Sequence, residues 1–353
     1  MNGRLSVVVG GQYGSEGKGA IAGHLTKPQS RQVVCVRVGG PNAGHTVLGN
    51  GPEGTRHPWR LRSIPVAAVT NPDAWLVIAA GSEIDYNVLQ YEAELLEDHG
   101  HQVWDRLIID PQATLLEQHH IDRETEMDIH GKIGSTGKGI GAARADRIMR
   151  TAAIWDHHPE LHHSPPIPTA AALHDALDEG NHIVIEGTQG YGLGLHAGHY
   201  PQCTSNDATA IDFLAMAGIS PWQRGIDTFR VYVVARINPI RVAGNSGPLQ
   251  GETTWEELGL QPELTTVTRK VRRVGHWDPQ LVHDAVRANG GPSNVRLCLT
   301  MLDHAVPEVA NYTGPLDLLP PAAKQWIDQA SFDAGCRIAM VGTGPDTIAG
   351  GWA

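Results

Sequence analysis

Apolar runs of five to seven residues recur along the chain, each closed by glycine, proline or polar residues. Residues 5–9 form the first and end in Gly10-Gly11; a glycine-spaced loop and a helical segment at 17–25 follow, which predicts strand, loop, helix. Residues 33–38, 75–79, 182–186, 229–235, 295–300 and 337–341 read as further buried strands, with helices between several of them, including 87–98 and 169–178. Buried strands that alternate with helices in this way predict an α/β fold with a mainly parallel central sheet covered by helices. The Pro-rich stretch 164–168 reads as a loop rather than a linker, and no internal repeat is visible, so residues 1–353 read as a single domain.

Composition narrows the function classes. A chain of 353 residues with 41% hydrophobic content can bury a large core. Its formal charge of −11 argues against direct nucleic-acid binding and against anionic membranes, both of which need clustered positive charge. No secretory signal and no run of about 20 apolar residues is present, so a cytoplasmic protein is expected. Cys35, Cys203, Cys298 and Cys336 form no Cys-x-x-Cys pair and read as reduced structural thiols. The 19 histidines include the pairs His119-His120, His157-His158 and His162-His163; neighbours in sequence diverge in space, so these read as solvated loop and surface residues. The 41 glycines imply many tight backbone turns, since glycine is usually about 7% of a chain.

Two segments carry chemistry. Gly-Gly-Gln-Tyr-Gly-Ser-Glu-Gly-Lys-Gly, residues 10–19, lies between a strand and a helix, where backbone amides face an anion and Lys18 adds a positive charge. It departs from a Walker loop at Gln12, in the first glycine position, and at Gly19, in place of the hydroxyl residue. On this segment alone a glycine-rich structural turn stays open. Gly-Gly-Pro-Asn-Ala-Gly-His-Thr-Val, residues 39–47, places His45 on a loop at a strand's end, which suits proton transfer near neutral pH; a structural histidine is the alternative.

Together these segments resemble the adenylosuccinate synthetase signatures Gly-x-Gln-Trp-Gly-Asp-Glu-Gly-Lys-Gly and Asn-Ala-Gly-His-Thr-Val. The resemblance continues in order through Gly-Ser-Thr-Gly-Lys-Gly-Ile-Gly (134–141), Arg150, Glu-Gly-Thr-Gln-Gly (186–190), Tyr-Pro-Gln-Cys-Thr-Ser (200–205), Thr-Val-Thr-Arg-Lys-Val-Arg-Arg-Val-Gly (266–275), 300–303 and 342–346. It implies an adenylosuccinate synthetase-like P-loop fold and a ligase that phosphorylates a purine at O6 and then lets the amine of aspartate displace the phosphate at C6. By the same resemblance, Ser15, Lys18, His45 and Gln189 are catalytic, with His45 the general acid and Gln189 bonded to the purine. Ser15, Asn42, Ser135, Thr136, Arg150, Gln189 and Thr204 take the substrate nucleotide. Gly14, Gly17, Lys18, Gly19, Thr46, Asp303, Gly342, Gly344 and Pro345 take the donor nucleotide. Thr266, Val267, Thr268, Lys270 and Arg272 take aspartate, for which guanidinium is chemically apt because it pairs with carboxylate in a bidentate way. Mg²⁺ is implied at Ser15 and the Gly44 carbonyl, and a homodimer is implied in which Arg150 reaches the partner's site.

Three departures from the family pattern refine this expectation. Ser15 stands where the ordinary family has an aspartate that deprotonates the purine and binds Mg²⁺; a serine hydroxyl is no comparable base near pH 7. The phage branch of the family is similar here, carrying serine and converting dGMP to N6-succino-2-amino-2'-deoxyadenylate, and serine leaves room for the guanine 2-amino group. What then removes the N1 proton stays open. Met301 replaces the lysine of the family's Thr-Lys-Leu-Asp, which points from GTP towards ATP or dATP. Arg269 and Lys270 replace the usual Gly-Arg of the aspartate loop. The rival readings are an ordinary adenylosuccinate synthetase using IMP and GTP, and a catalytically silent nucleotide-binding protein.

Overall fold

The computed structural model describes residues 2–264 and 270–351. Nine strands form one sheet in the order Ile348–Gly350, Ile338–Gly342, Val295–Thr300, Ile226–Arg236, Gly3–Gly10, His182–Glu186, Val33–Arg37, Trp75–Ile78 and Leu107–Ile109. Every neighbouring pair is parallel except the first, where Ile348–Gly350 runs antiparallel to Ile338–Gly342. The expected mainly parallel α/β architecture is therefore present, and His182–Glu186, Val295–Thr300 and the helix Thr169–Asp178 have the bounds expected from the apolar pattern.

Successive side chains on a strand point to opposite faces, so both faces of the sheet need apolar cover. Leu5, Val7 and Val9 pack into one core with Val34, Val36, Ile183 and Phe213. Val8, Val33, Cys35 and Val184 pack into the other, with Ile21, Leu25 and Leu89 from helices on that side. Fully burying each Val or Leu stabilises the fold by about 1.5–3 kcal/mol relative to exposure. Among the described residues all four cysteines are free thiols, three of them buried, and no helix is long and apolar enough to cross a membrane.

Parallel strands release their connecting loops at one edge, and ligands of such sheets bind outside the carboxyl ends of the strands. The loops that follow Gly10, Arg37, Glu186, Arg236, Thr300 and Gly342 all leave from that edge. These are the loops that hold most of the motifs read in the sequence.

Candidate active site

The loop after Gly3–Gly10 is organised by a carboxylate. Glu16 is fully buried, and its Oε1 accepts from the backbone N–H of Gln12 (3.2 Å) and Gly14 (2.7 Å). Its Oε2 accepts from Lys18 Nζ at 2.6 Å, and Lys18 also donates to the Gln189 carbonyl at 2.5 Å. Lys18, only 4% exposed, is thus held at the joint between residues 10–19 and 186–190. A Cβ on Gly190 would lie 2.4 Å from Glu16 Oε1, and one on Gly10 would lie 2.6 Å from the Gln189 carbonyl, so both positions need glycine. Gln12 departs from the Walker pattern because its side-chain amide acts as a strand neighbour: Nε2 donates to the Arg236 carbonyl (2.9 Å) and Oε1 accepts from the Arg236 N–H (3.0 Å).

The second departure, Gly19, has a steric cause. His45 does not sit on a loop as expected; it opens the strand His45–Asn50, which pairs antiparallel with Arg56–Leu61. That hairpin lies against the helix Lys18–Leu25 so closely that a Cβ on Gly19 would fall 2.6 Å from the Thr46 carbonyl and 2.9 Å from His45 Cβ. A serine or threonine in that place would collide with the backbone that carries the histidine.

His45 is 5% exposed, and its Nδ1 lies 2.6 Å from Glu186 Oε2. Arg37 Nη1 is 2.7 Å from the same nitrogen. A carboxylate only accepts, so Nδ1 carries the proton and donates to Glu186, and Arg37 is a charged neighbour rather than a second donor to the ring. Glu186 also accepts from Cys35 Sγ (3.0 Å), the Val66 N–H (2.7 Å) and Arg37 Nη1 (3.4 Å). Burial favours the neutral carboxyl, but the bond from His45 and the charge of Arg37 outweigh it and keep Glu186 below its ordinary range. Burial, with Arg37 beside the ring, pushes His45 down to about 4. The unliganded chain therefore holds a neutral imidazole whose Nε2 is buried without a hydrogen-bond partner among the described residues.

Ser15 is exposed, with φ 58°, on the same loop. Its hydroxyl accepts from Arg272 Nη1 at 3.0 Å, and its carbonyl accepts from Arg236 Nη1 at 3.3 Å. Arg236 is 1% exposed and grips Glu263 through both carboxylate oxygens, at 3.2 and 2.5 Å. The Arg272 N–H donates to the Glu263 carbonyl at 2.8 Å, so Arg236, Glu263 and Arg272 join the arginine segment to Ser15. Lys270 is exposed; Thr266, Val267 and Thr268 lie outside the described residues.

The remaining expected residues line the same edge. Asn42 is half-buried, Gly44 and Thr46 are exposed, and Gln189 is half-buried with φ 61°. Thr300 Oγ1 donates to the Glu16 carbonyl at 2.6 Å, and Gly17 and Gly342 both pack on Thr300, so the segments at 300–303 and 342–346 abut the loop 10–19. Asp303 is half-buried on the turn of helix Leu302–Ala305, whose cap Met301 has φ 62°; Gly344 packs on Thr347 and Asn311, and Pro345 is exposed. Arg56 of the hairpin pairs with Asp346. Thr204 donates its N–H to the Leu193 carbonyl at 2.7 Å, and the neighbouring Gln202 donates to Asn245, which itself donates to the Lys132 carbonyl just before Ser135 and Thr136. Arg150 is exposed, at the left-handed end of helix Ile140–Met149 beside the exposed Ile148 and Met149.

The expectation of solvated histidines fails at His45, His120 and His182, which are buried. Glu117, His119 and His120 lie close enough together to suggest a cation site. His120 Nδ1, however, accepts from the Glu117 N–H at 3.0 Å, which places the ring proton on Nε2 and leaves no free lone pair for a metal. Arg37, Glu186, Arg236 and Glu263 were missed as site residues. A detectable signal existed for one of them: Arg37 is the lone charge in an otherwise apolar strand, and a fully buried charge is retained only with partners.

Comparison with known proteins matches the chain to the family model described as adenylosuccinate synthetase over residues 7–158 and 157–309. The chain is 39% identical over 346 residues to an adenylosuccinate synthetase of Pyrococcus horikoshii, spanning 96% of each chain. It is 36% identical to that of Methanocaldococcus jannaschii, over 97% of this chain and 94% of the relative. Among solved structures it resembles the cyanophage S-2L succinoaminodeoxyadenylate synthetase bound to dGMP and dATP, with TM-score 0.78, 29% identity and coverage of 98% and 94%. It shares its fold with the fully ligated adenylosuccinate synthetase of Plasmodium falciparum, at TM-score 0.80, 20% identity and coverage of 99% and 100%.

Proposed function

Because this chain belongs to the adenylosuccinate synthetase family and is a C–N ligase that joins aspartate to a purine nucleotide, we propose that its purine is the guanine of dGMP, with ATP or dATP as the phosphoryl donor. The product is N6-succino-2-amino-2'-deoxyadenylate, a precursor of 2-aminoadenine DNA. The observation that carries this reading is Ser15: a small hydroxyl, held by Arg272, where the family's usual carboxylate would stand. The cyanophage neighbour, solved with dGMP and dATP, supports it. Met301 in place of the family's lysine supports the adenine donor.

In this reading His45 Nε2 faces the phosphoryl oxygens. Neutral in the free enzyme, it gains a proton only when the anionic substrates arrive and raise its affinity for one. Glu186 keeps the ring oriented and stabilises the charged form. Lys18, held in place by Glu16, offers its charge to the donor phosphates, and Gln189 orients the purine. Ser135, Thr136 and Thr204 grip the monophosphate, joined by Arg150 of a second subunit. Lys270 and Arg272 hold the two carboxylates of aspartate. Ser15 Oγ and the Gly44 carbonyl are neutral oxygens, while Glu16 is saturated by Gln12, Gly14 and Lys18. These residues fit Mg²⁺ as a partner of the nucleotide phosphates, which supply most of its oxygens; bound there, it offsets charge on the transferred phosphoryl group. We read residues 1–353 as one catalytic domain, since the main sheet draws strands from residue 3 through residue 350.

A second reading, an ordinary synthetase using IMP and GTP, is favoured by the 39% identity to the Pyrococcus horikoshii enzyme. Incubation with aspartate, Mg²⁺, each of ATP, dATP and GTP, and each of dGMP, GMP and IMP separates the two. Mass spectrometry should show the succino-2-aminopurine product from dGMP; faster turnover of IMP with GTP would overturn the guanine assignment.

A further inference from the structure

We propose that Glu124 is the positioning residue of the acceptor-phosphate loop, an inference that rests on reading residues 134–141 as that loop. The helix Ile140–Met149 starts from Gly139, at φ 80°, with no side chain of its own to cap it. The first amides of a helix have no partner within it, and Glu124, buried on the helix Gln118–Glu126, supplies one from outside. Its Oε2 accepts from the Gly139 N–H at 2.7 Å, and its Oε1 accepts from Gly141 at 2.8 Å and Ala142 at 3.4 Å. A carboxylate at the positive end of a helix, accepting several amides, is a charge-assisted cap. Packing makes the fit close: a Cβ on Gly139 would lie 2.9 Å from His120 Cβ, and one on Gly141 would lie 3.2 Å from Glu124 Oε1.

A helix that follows a glycine-rich loop ordinarily offers these amides to a phosphate. Here the protein's own carboxylate has taken them, so the monophosphate is left to the preceding turn, with Ser135 and Thr136. The entrance of that turn is tied separately: Asn245 Nδ2 donates to the Lys132 carbonyl at 2.7 Å, and Gly134 packs against Ser246. Glu124 fixes the exit. It thereby holds the turn in one register and keeps stray anions off the helix end.

The test is steady-state kinetics of the full-length enzyme and of E124A and E124Q, with acceptor, donor and aspartate varied in turn. The acceptor is whichever of dGMP and IMP the wild type uses, so failure of the guanine reading shows in that choice and failure of this one in the pattern of KM. We expect the acceptor KM to rise about tenfold in E124A and about threefold in E124Q, which keeps one accepting oxygen, while the other two KM values stay within about twofold. Inorganic phosphate should compete with the acceptor in E124A more strongly than in the wild type. An acceptor KM that is unchanged in E124Q, or that rises together with those of donor and aspartate, would overturn the assignment; the E124Q kinetics alone are sufficient to do so where E124A does not fold.

Discussion

His45 and Ser15 carry the predictions that belong to single side chains. With Nδ1 committed to Glu186, only Nε2 of His45 is free to exchange a proton with substrate. His45→Ala should therefore lower kcat by about 10²–10⁴, the usual share of general acid catalysis, without loss of folding by circular dichroism. Near-normal turnover would remove it from the mechanism. Ser15 accepts from Arg272, so an aspartate in its place would form a charged pair with that guanidinium as well as crowd the guanine 2-amino group. The ratio of kcat/KM for dGMP over IMP should fall in Ser15→Asp by roughly 10–200-fold, the range for one altered specificity contact. A ratio that holds or climbs would place the selectivity elsewhere, for instance around Gln189 and Asn42.

At the scale of elements, the helix Lys18–Leu25 and the hairpin from His45 to Leu61 share one tight crossing at Gly19. Gly19→Ser would restore the Walker hydroxyl yet drive its Cβ into the Thr46 carbonyl. Overpacking of this kind typically costs about 1–3 kcal/mol, so the variant should melt earlier and lose activity because His45 moves with the strand. A variant with unchanged Tm and turnover would mean that the crossing yields readily. Seven of the nine strands of the main sheet were legible because each holds a mostly apolar run bounded by glycine or polar residues. The hairpin was not, since its inward positions include His45 and His57 and leave too few apolar residues in 45–50 and 56–61 to show a period. Nor were the edge strands Leu107–Ile109 and Ile348–Gly350, whose three residues are too few to set a period.

For the whole molecule, two outcomes follow. Arg150 is exposed on a helix end flanked by Ile148 and Met149, each 69% exposed, which suits a residue that completes a site in a second subunit. Arg150→Ala and His45→Ala should each be nearly inactive, whereas their mixture after verified subunit exchange should regain about a quarter of wild-type activity, from the one intact site of each hybrid dimer. No recovery would argue against a shared site. The second outcome concerns acid. Burial pushes His45 to about 4 and, helped by Arg4 and Arg31, His182 to about 3. In the unfolded chain both take up protons near 6.5, so the stability they permit is present above that pH and is lost as pH falls towards 4. Each should remove about 2.5 kcal/mol by pH 4.5. Urea midpoints at pH 7 and pH 4.5 should differ more for the wild type than for His182→Gln, and equal differences would show that His182 is not held neutral by the fold.

The sequence by itself determined the α/β class, because mostly apolar runs that alternate with helices suit strands covered on both faces, and it marked out the candidate loops, because their residues stand in motifs contiguous along the chain. Tertiary structure decided who serves those loops. Glu186 reaches His45 across 141 positions, and Arg236 reaches Ser15 across 221. Even Glu124, only 15 residues before Gly139, caps a helix other than its own. Partners of this kind leave no local period or turn chemistry to read; they arise because the parallel sheet delivers the ends of distant strands to one edge, where each buried charge must find its counterpart.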